Sequence, residues 1–170
     1  MDSYILTIEK ALSNLIEIGV TPPNSAIDLT DRVFRGRVRY GHNEPTPMVS
    51  IMQAPNIDIE TSEAGKGRIR TAMKTYLIQG WVEDDFNNPT DPAHELLADV
   101  KKALSVILDM DSEHFMLQSY SSSGNGLISS MEMSTGLVRP PEASISDKAY
   151  FWLPLNVTVV EDLSKPYSHP

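Results

Sequence analysis

Apolar residues at Ile5, Ile8, Leu12 and Leu15 recur at spacings of three, four and three, one stripe down a helix over residues 2–18. Asp2 or Ser3 stands where an N-cap belongs and Gly19 where a C-terminal cap belongs, and Thr21-Pro22-Pro23-Asn24 forbids continuation. The period then changes to two. From Val33 to Tyr40, Phe34, Gly36, Val38 and Tyr40 fall on one side and Arg35, Arg37 and Arg39 on the other, predicting a half-buried strand with an outer row of three arginines. A turn-rich break over residues 41–47 leads into a short strand at 48–53. Residues 55–67, with Asp58, Glu60, Glu63, Gly65 and Gly67, read as an exposed, flexible loop.

Residues 68–83 contain no proline and end in the strand-forming run Tyr76-Leu77-Ile78-Gln79-Gly80-Trp81-Val82. After a polar loop, Asp91 as N-cap and Pro92 at the first helical position open a second helix, with Leu96, Val100, Leu104 and Ile107 inward and Leu97, Ala103 and Leu108 widening that face. Residues 115–120 and 127–133 read as two strands joined by the hairpin loop 121–126. After a proline-containing connection at 139–148, residues 150–161 give the clearest alternation: Phe151, Leu153, Leu155, Val157 and Val159 point one way. Pro154 has no N–H to give a ladder, so this strand is expected at a sheet edge or bulged there. Residues 164–170 read as a loose tail.

Two helices among six strands without a repeated βαβ order predict an α+β fold: a mostly antiparallel sheet of about six strands, two main helices packed on one face, one domain over residues 1–170. The odd-numbered row of the last strand is expected to face the helices.

The 170 residues carry 14 Lys+Arg and 23 Asp+Glu, 14 − 23 = −9, which argues against bulk nucleic-acid binding. There is no cysteine, which excludes thiolate catalysis, zinc ribbons and iron–sulfur clusters. No apolar run reaches membrane-spanning length, and the acidic, interrupted opening does not read as a secretory leader. The histidines at 42, 94, 114 and 169 form no ligand pair at helical spacing. The calcium-loop-like start at Asp109 fails, with His114 where glycine and Tyr120 where glutamate are needed. Gly124-Asn125-Gly126 lacks the rest of a phosphate loop, and no serine sits in a nucleophile elbow. No catalytic residue, cofactor or metal site is expected.

Charge is unevenly placed. Residues 32–43 hold Arg32, Arg35, Arg37 and Arg39 without an acid, and residues 66–82 hold Lys66, Arg68, Arg70 and Lys74 without an acid. Residues 83–113 hold nine acids against Lys101 and Lys102, 2 − 9 = −7. Two such regions can be solvated faces, can pair within one subunit, or can meet head to tail between copies, which closes into a ring when the rotation divides the circle.

The stretch Arg32-Val33-Phe34-Arg35-Gly36-Arg37, followed after a break by Pro47-Met48-Val49-Ser50-Ile51, resembles the early strands of the tail terminator proteins of long-tailed bacteriophages. Residues 76–104 (YLIQGWVEDDFNNPTDPAHELLADVKKAL) are similar to their strand, acidic loop and second helix, and FWLPLNVTVVED to their final strand. The similarity covers the order of elements over nearly the whole chain and contains no catalytic signature. It implies a structural virion protein without a cofactor: a homohexameric ring that caps the tail tube, stops its polymerisation and offers its other face to the head–tail connector, with DNA passing through the bore unread. On that reading Arg35, Arg37, Arg39, Arg68 and Arg70 are the basic candidates for subunit or tube contacts, and Glu83, Asp84 and Asp85 the acidic ones. Two other readings stay open. One is a different neck protein or a tube subunit. The other is a small-molecule enzyme or binding domain, with Asp84, Asp85 and His94 as its polar cluster and a deep pocket near His94 as its mark.

Overall fold

The computed structural model describes residues 2–38, 44–54, 68–121 and 125–167. The elements run α1 (Tyr4–Gly19), β1 (Val33–Arg35), β2 (Met48–Gln53), β3 (Ile69–Val82), α2 (Asp91–Ser105), β4 (Ser130–Met133), β5 (Leu137–Arg139) and β6 (Ala149–Asp162), with a 3-10 segment at Phe115–Tyr120. The fold is α+β: one six-stranded mixed sheet in the order β1-β2-β3-β6-β4, with β5 also on β6. Among the described residues β1 and β2 run parallel and the other strand pairings are antiparallel.

The spine is the pair β3–β6, fourteen residues against fourteen in unbroken register from Ile69↔Asp162 to Val82↔Ala149. Its alternation decides the layers. Phe151, Leu153, Leu155, Val157 and Val159 are fully buried, as the sequence predicts, together with Tyr76 and Ile78 of β3. They meet Ile8, Leu12 and Ile16 of α1 and Leu96, Val100 and Leu104 of α2 in one core. Each such side chain stabilises the fold by about 1.5–3 kcal/mol relative to exposure, so this row fixes which face the helices cover.

Helix α1 starts at its Ser3 cap, whose side chain accepts from the Leu6 N–H at 3.3 Å. Gly19 is the last helical residue and Val20 the cap. A side chain at Gly19 would stand 2.4 Å from the Ala103 Cβ, so this glycine lets α1 and α2 approach closely rather than merely ending the helix. In α2 the cap is Thr90, not Asp91, and Leu108 is largely exposed beyond the helix end.

Several expectations are corrected. The strand predicted over 33–40 stops at Arg35, because Gly36 takes φ +73, a left-handed backbone that turns the chain off the sheet. Val38 is 69% exposed rather than inward. Residues 115–120 are not a strand: Met116 and Leu117 have φ 47 and 62, and Leu117 drops into the core. The hairpin expected at 121–126 therefore has no first strand, and its second is shortened to β4. Pro154 is not at an edge, since β6 is paired on both sides. The irregularity falls in the neighbouring strand, where the register sum moves from 133 + 155 = 288 in β4 to 137 + 152 = 289 in β5. The extra residue is taken up before Gly136, at φ +81. Pro154 offers its carbonyl to the Ser134 N–H there, so its missing donor faces the gap. The tail is pinned as far as described: Leu163 N–H bonds the Arg68 carbonyl, and the Pro166 carbonyl accepts from Tyr4 N–H at the free start of α1. The loop expected at 55–67 lies outside the described residues.

Candidate interaction surface

The expected row of three arginines does not form. In β1, Val33 and Arg35 face the α1 side while Phe34 faces away. After the turn at Gly36, the Arg37 guanidinium lies over the Phe34 ring, 4.1 Å from its centroid, and pairs with Glu44 at 2.8 Å. Arg35 and Arg37 thus lie on opposite faces, and Arg39 lies outside the described residues.

Arg70 and Lys74 both bind Glu161 of β6, at 2.9 and 3.3 Å, and Glu161 is the less exposed member of each pair. At the far end of β3, Glu83 accepts from Lys148 at 2.5 Å and from the Thr46 hydroxyl at 2.9 Å. The Lys148 hydrogen bond, more than the Thr46 one, holds the Glu83 carboxyl below its ordinary range. Arg37, Arg70 and Glu83 are therefore engaged within the chain. Arg35, Arg68, Asp84 and Asp85 form no ion pair among the described residues.

Those four stand at three separate places, Arg68 just before β3, where its carbonyl accepts from the Leu163 N–H. Asp84 and Asp85 open the loop between β3 and α2. The Asp85 carboxylate accepts from the N–H groups of Asn87 and Asn88 at 2.9 and 2.8 Å, a side-chain turn that shapes the loop. At its tip Phe86 is 96% exposed. The sequence offered a signal for it, a single aromatic among Asp84, Asp85, Asn87 and Asn88, which the charge pattern overshadowed. Arg35 instead borders a groove of about 410 Å³ alongside α1, with Lys10, Asn14, Val33 and Tyr120 among its walls and the buried Ala11 beneath. Tyr120, whose hydroxyl accepts from the Asn14 amide at 2.9 Å, was expected in a strand and enters this wall through the 3-10 segment. Lys10 is tied to Asp2 at 2.6 Å, and Glu17 accepts from the Asp31 N–H.

His94 is exposed on the first turn of α2, and the lining of this groove includes neither it nor Asp84 or Asp85. Among the described residues, no group of three or more His, Asp or Glu is placed to hold a metal ion, and no helix is long and apolar enough to cross a membrane. The chain matches no known family model and no curated protein.

Chemically, this arrangement suits docking: an aromatic tip flanked by carboxylates at one place, and at another a mostly polar groove with an apolar strip at Ala11, Val33 and Tyr120 and a guanidinium that forms no ion pair among the described residues. By register Arg35 lies level with Ile51 and so with Ile78 of β3, six residues short of Asp84. That is about 20 Å along the strands at roughly 3.3 Å per residue, too far for the two to meet within one subunit.

Proposed function

We propose that this chain is a structural subunit of a long-tailed phage particle, a tail terminator that forms a closed homomeric ring on the end of the tail tube. The observation that carries this reading is the pair of separated surfaces just described. Opposite charges that form no ion pair among the described residues, on sites that cannot reach each other, suit a heterologous contact between copies, which closes into a ring when its rotation divides the circle. The resemblance in the order of elements supports the terminator in particular. Capping would then work by shape: the ring matches the last tube layer and offers no copy of the surface that the next layer needs. Assembly would take place in the bacterial cytoplasm, with the finished ring in the neck of the virion and DNA passing through its bore.

The test is incubation of purified protein with phage tail tubes, followed by native mass spectrometry and negative-stain imaging. The expected result is a six-subunit ring seated at one end of each tube and an arrest of further tube growth. Long tubes formed by this protein alone would identify a tube subunit instead. Failure to bind tubes in any oligomeric form would overturn the reading.

A further inference from the structure

We propose that Phe86 is the anchor of the contact between neighbouring copies, its ring inserted into the groove beside α1 of the next subunit with Asp84 and Asp85 set against Arg35. This rests on the ring reading above and names the contact that closes it.

Three observations converge. First, a phenylalanine that is 96% exposed contributes nothing to its own fold. It is nonetheless held on a shaped loop: Asp85 bonds the Asn87 and Asn88 N–H groups, and the Asn88 carbonyl accepts from Asp91 N–H at 3.0 Å at the start of α2. A preorganised aromatic loses little entropy on docking, and such residues dominate interface energetics when they fill a pocket. Second, the groove has the matching form. Ala11, Val33 and Tyr120 give it an apolar strip for a ring among polar walls that include Thr7, Asn14 and Arg35, and its volume of about 410 Å³ accommodates an aromatic side chain with its flanking groups. Third, the charges are complementary. Within the groove Lys10 pairs with Asp2, Glu17 accepts from the Asp31 N–H, and Arg35 forms no ion pair among the described residues. On the loop, Asp84 and Asp85 form none among the described residues either, the Asp85 carboxylate accepting only from backbone N–H groups there. The occupant is a second copy of this chain because the two halves of the contact are both present on each subunit and too far apart to close upon themselves.

The absence of cysteine gives a clean test. Two singly substituted chains, Asn87→Cys and Asn14→Cys, are mixed under oxidising conditions with and without tail tubes, so that a 14–87 disulfide can form only between chains. The expected result is a dominant 14–87 cross-link, exceeding either self-pairing. Phe86→Ala, with an unchanged thermal midpoint, is expected to weaken self-association at least about 30-fold. Arg35→Asp should weaken it about tenfold, with recovery in Arg35→Asp/Asp84→Arg. Rings without the 14–87 link, or a Phe86→Ala protein that assembles as tightly as its parent, overturn this contact while leaving the ring reading intact. Absence of any oligomer, alone or on tubes, overturns both.

Discussion

The two faces of the sheet are closed by different means. Toward the helices, β2, β3 and β6 present Val49, Ile51, Tyr76, Ile78 and the odd row of β6, and α1 and α2 bury them in one continuous core. On the other face Met48, Trp81 and Tyr150 form a separate, smaller cluster with Phe34 and Trp152 at its margin. No helix covers it. It is closed at one end by short irregular segments: Arg37 lies over Phe34, and the Tyr150 hydroxyl bonds Glu142 in the β5–β6 connection at 2.9 Å. Further along the same face Ile69 stays 56% exposed. The helix-covered face carries most of the buried core, whereas the other is held together by loops and, among the described residues, keeps apolar side chains such as Ile69 exposed. Substitutions on the two faces should therefore cost very different amounts.

Adjacent residues of β6 give the most direct comparison. Phe151 is fully buried on the helix face and its neighbour Trp152 is half-buried on the other. Phe151→Ala should lower unfolding free energy by about 3–5 kcal/mol, and Trp152→Ala by roughly half as much, read as shifts of the urea midpoint at constant slope. Equal losses would mean that the lesser cluster belongs to the same cooperative core. Gly80→Ala probes the helix face from the backbone. Gly80 is paired with Phe151, and a Cβ there would stand 2.2 Å from the Phe151 ring. A ring enclosed on all sides has no room to yield, so overpacking should cost about 1–3 kcal/mol in the same measurement. A neutral result would show that Phe151 has slack the packing does not suggest.

What the sequence made legible follows the same division. Long elements with sustained periodicity, α1, α2, β3 and β6, read correctly because one pattern runs over ten or more residues and the same face stays buried throughout. The α+β class and the side covered by helices follow from them. Short pieces did not read. Phe115–Tyr120 has strand-like composition, but two residues in left-handed conformation bring Leu117 into the core, a tertiary demand that local propensity cannot express. The arginine row failed on one residue, since alternation assumes that Gly36 continues the strand and its positive φ ends it. β5 was missed because it is three residues long and exists as the continuation of β4 past a one-residue insertion. At the candidate surface, Asp84, Asp85 and Arg35 were visible as charges. Which acids and bases neutralise each other within the chain depends on strands far apart in sequence, as with Arg70 and Glu161, and that pairing narrows the set. Phe86 was readable only as an aromatic with no apolar neighbours.

The smallest expected effect tests how the loop-closed face is fastened. Lys148, in the connection that brings Glu142 to Tyr150, ties that connection to Glu83 at the end of β3. Bonding to Lys148 lowers the Glu83 carboxyl from its ordinary value of 4.5. A lowered folded value means that the stabilisation is fully present above the unfolded value and is lost as pH falls through the folded one. Because the Glu83 side chain is 63% exposed, solvent screening keeps the contribution to about 0.5 kcal/mol. The parent and Lys148→Met should thus differ slightly at pH 7 and converge as the pH falls through the lowered folded value of Glu83. Both tryptophans of the chain, Trp81 and Trp152, belong to this cluster, so fluorescence reports on it selectively while far-ultraviolet circular dichroism reports on the whole fold. If the Lys148–Glu83 tie fastens the connection, acid should shift the fluorescence of the parent before its dichroism changes, and Lys148→Met should show the shifted fluorescence already at pH 7. Identical fluorescence in both proteins at pH 7 would place the fastening in the Tyr150–Glu142 bond instead, and Glu142→Gln, which keeps an acceptor at that hydroxyl, would then leave the signal in place where Glu142→Ala removes it.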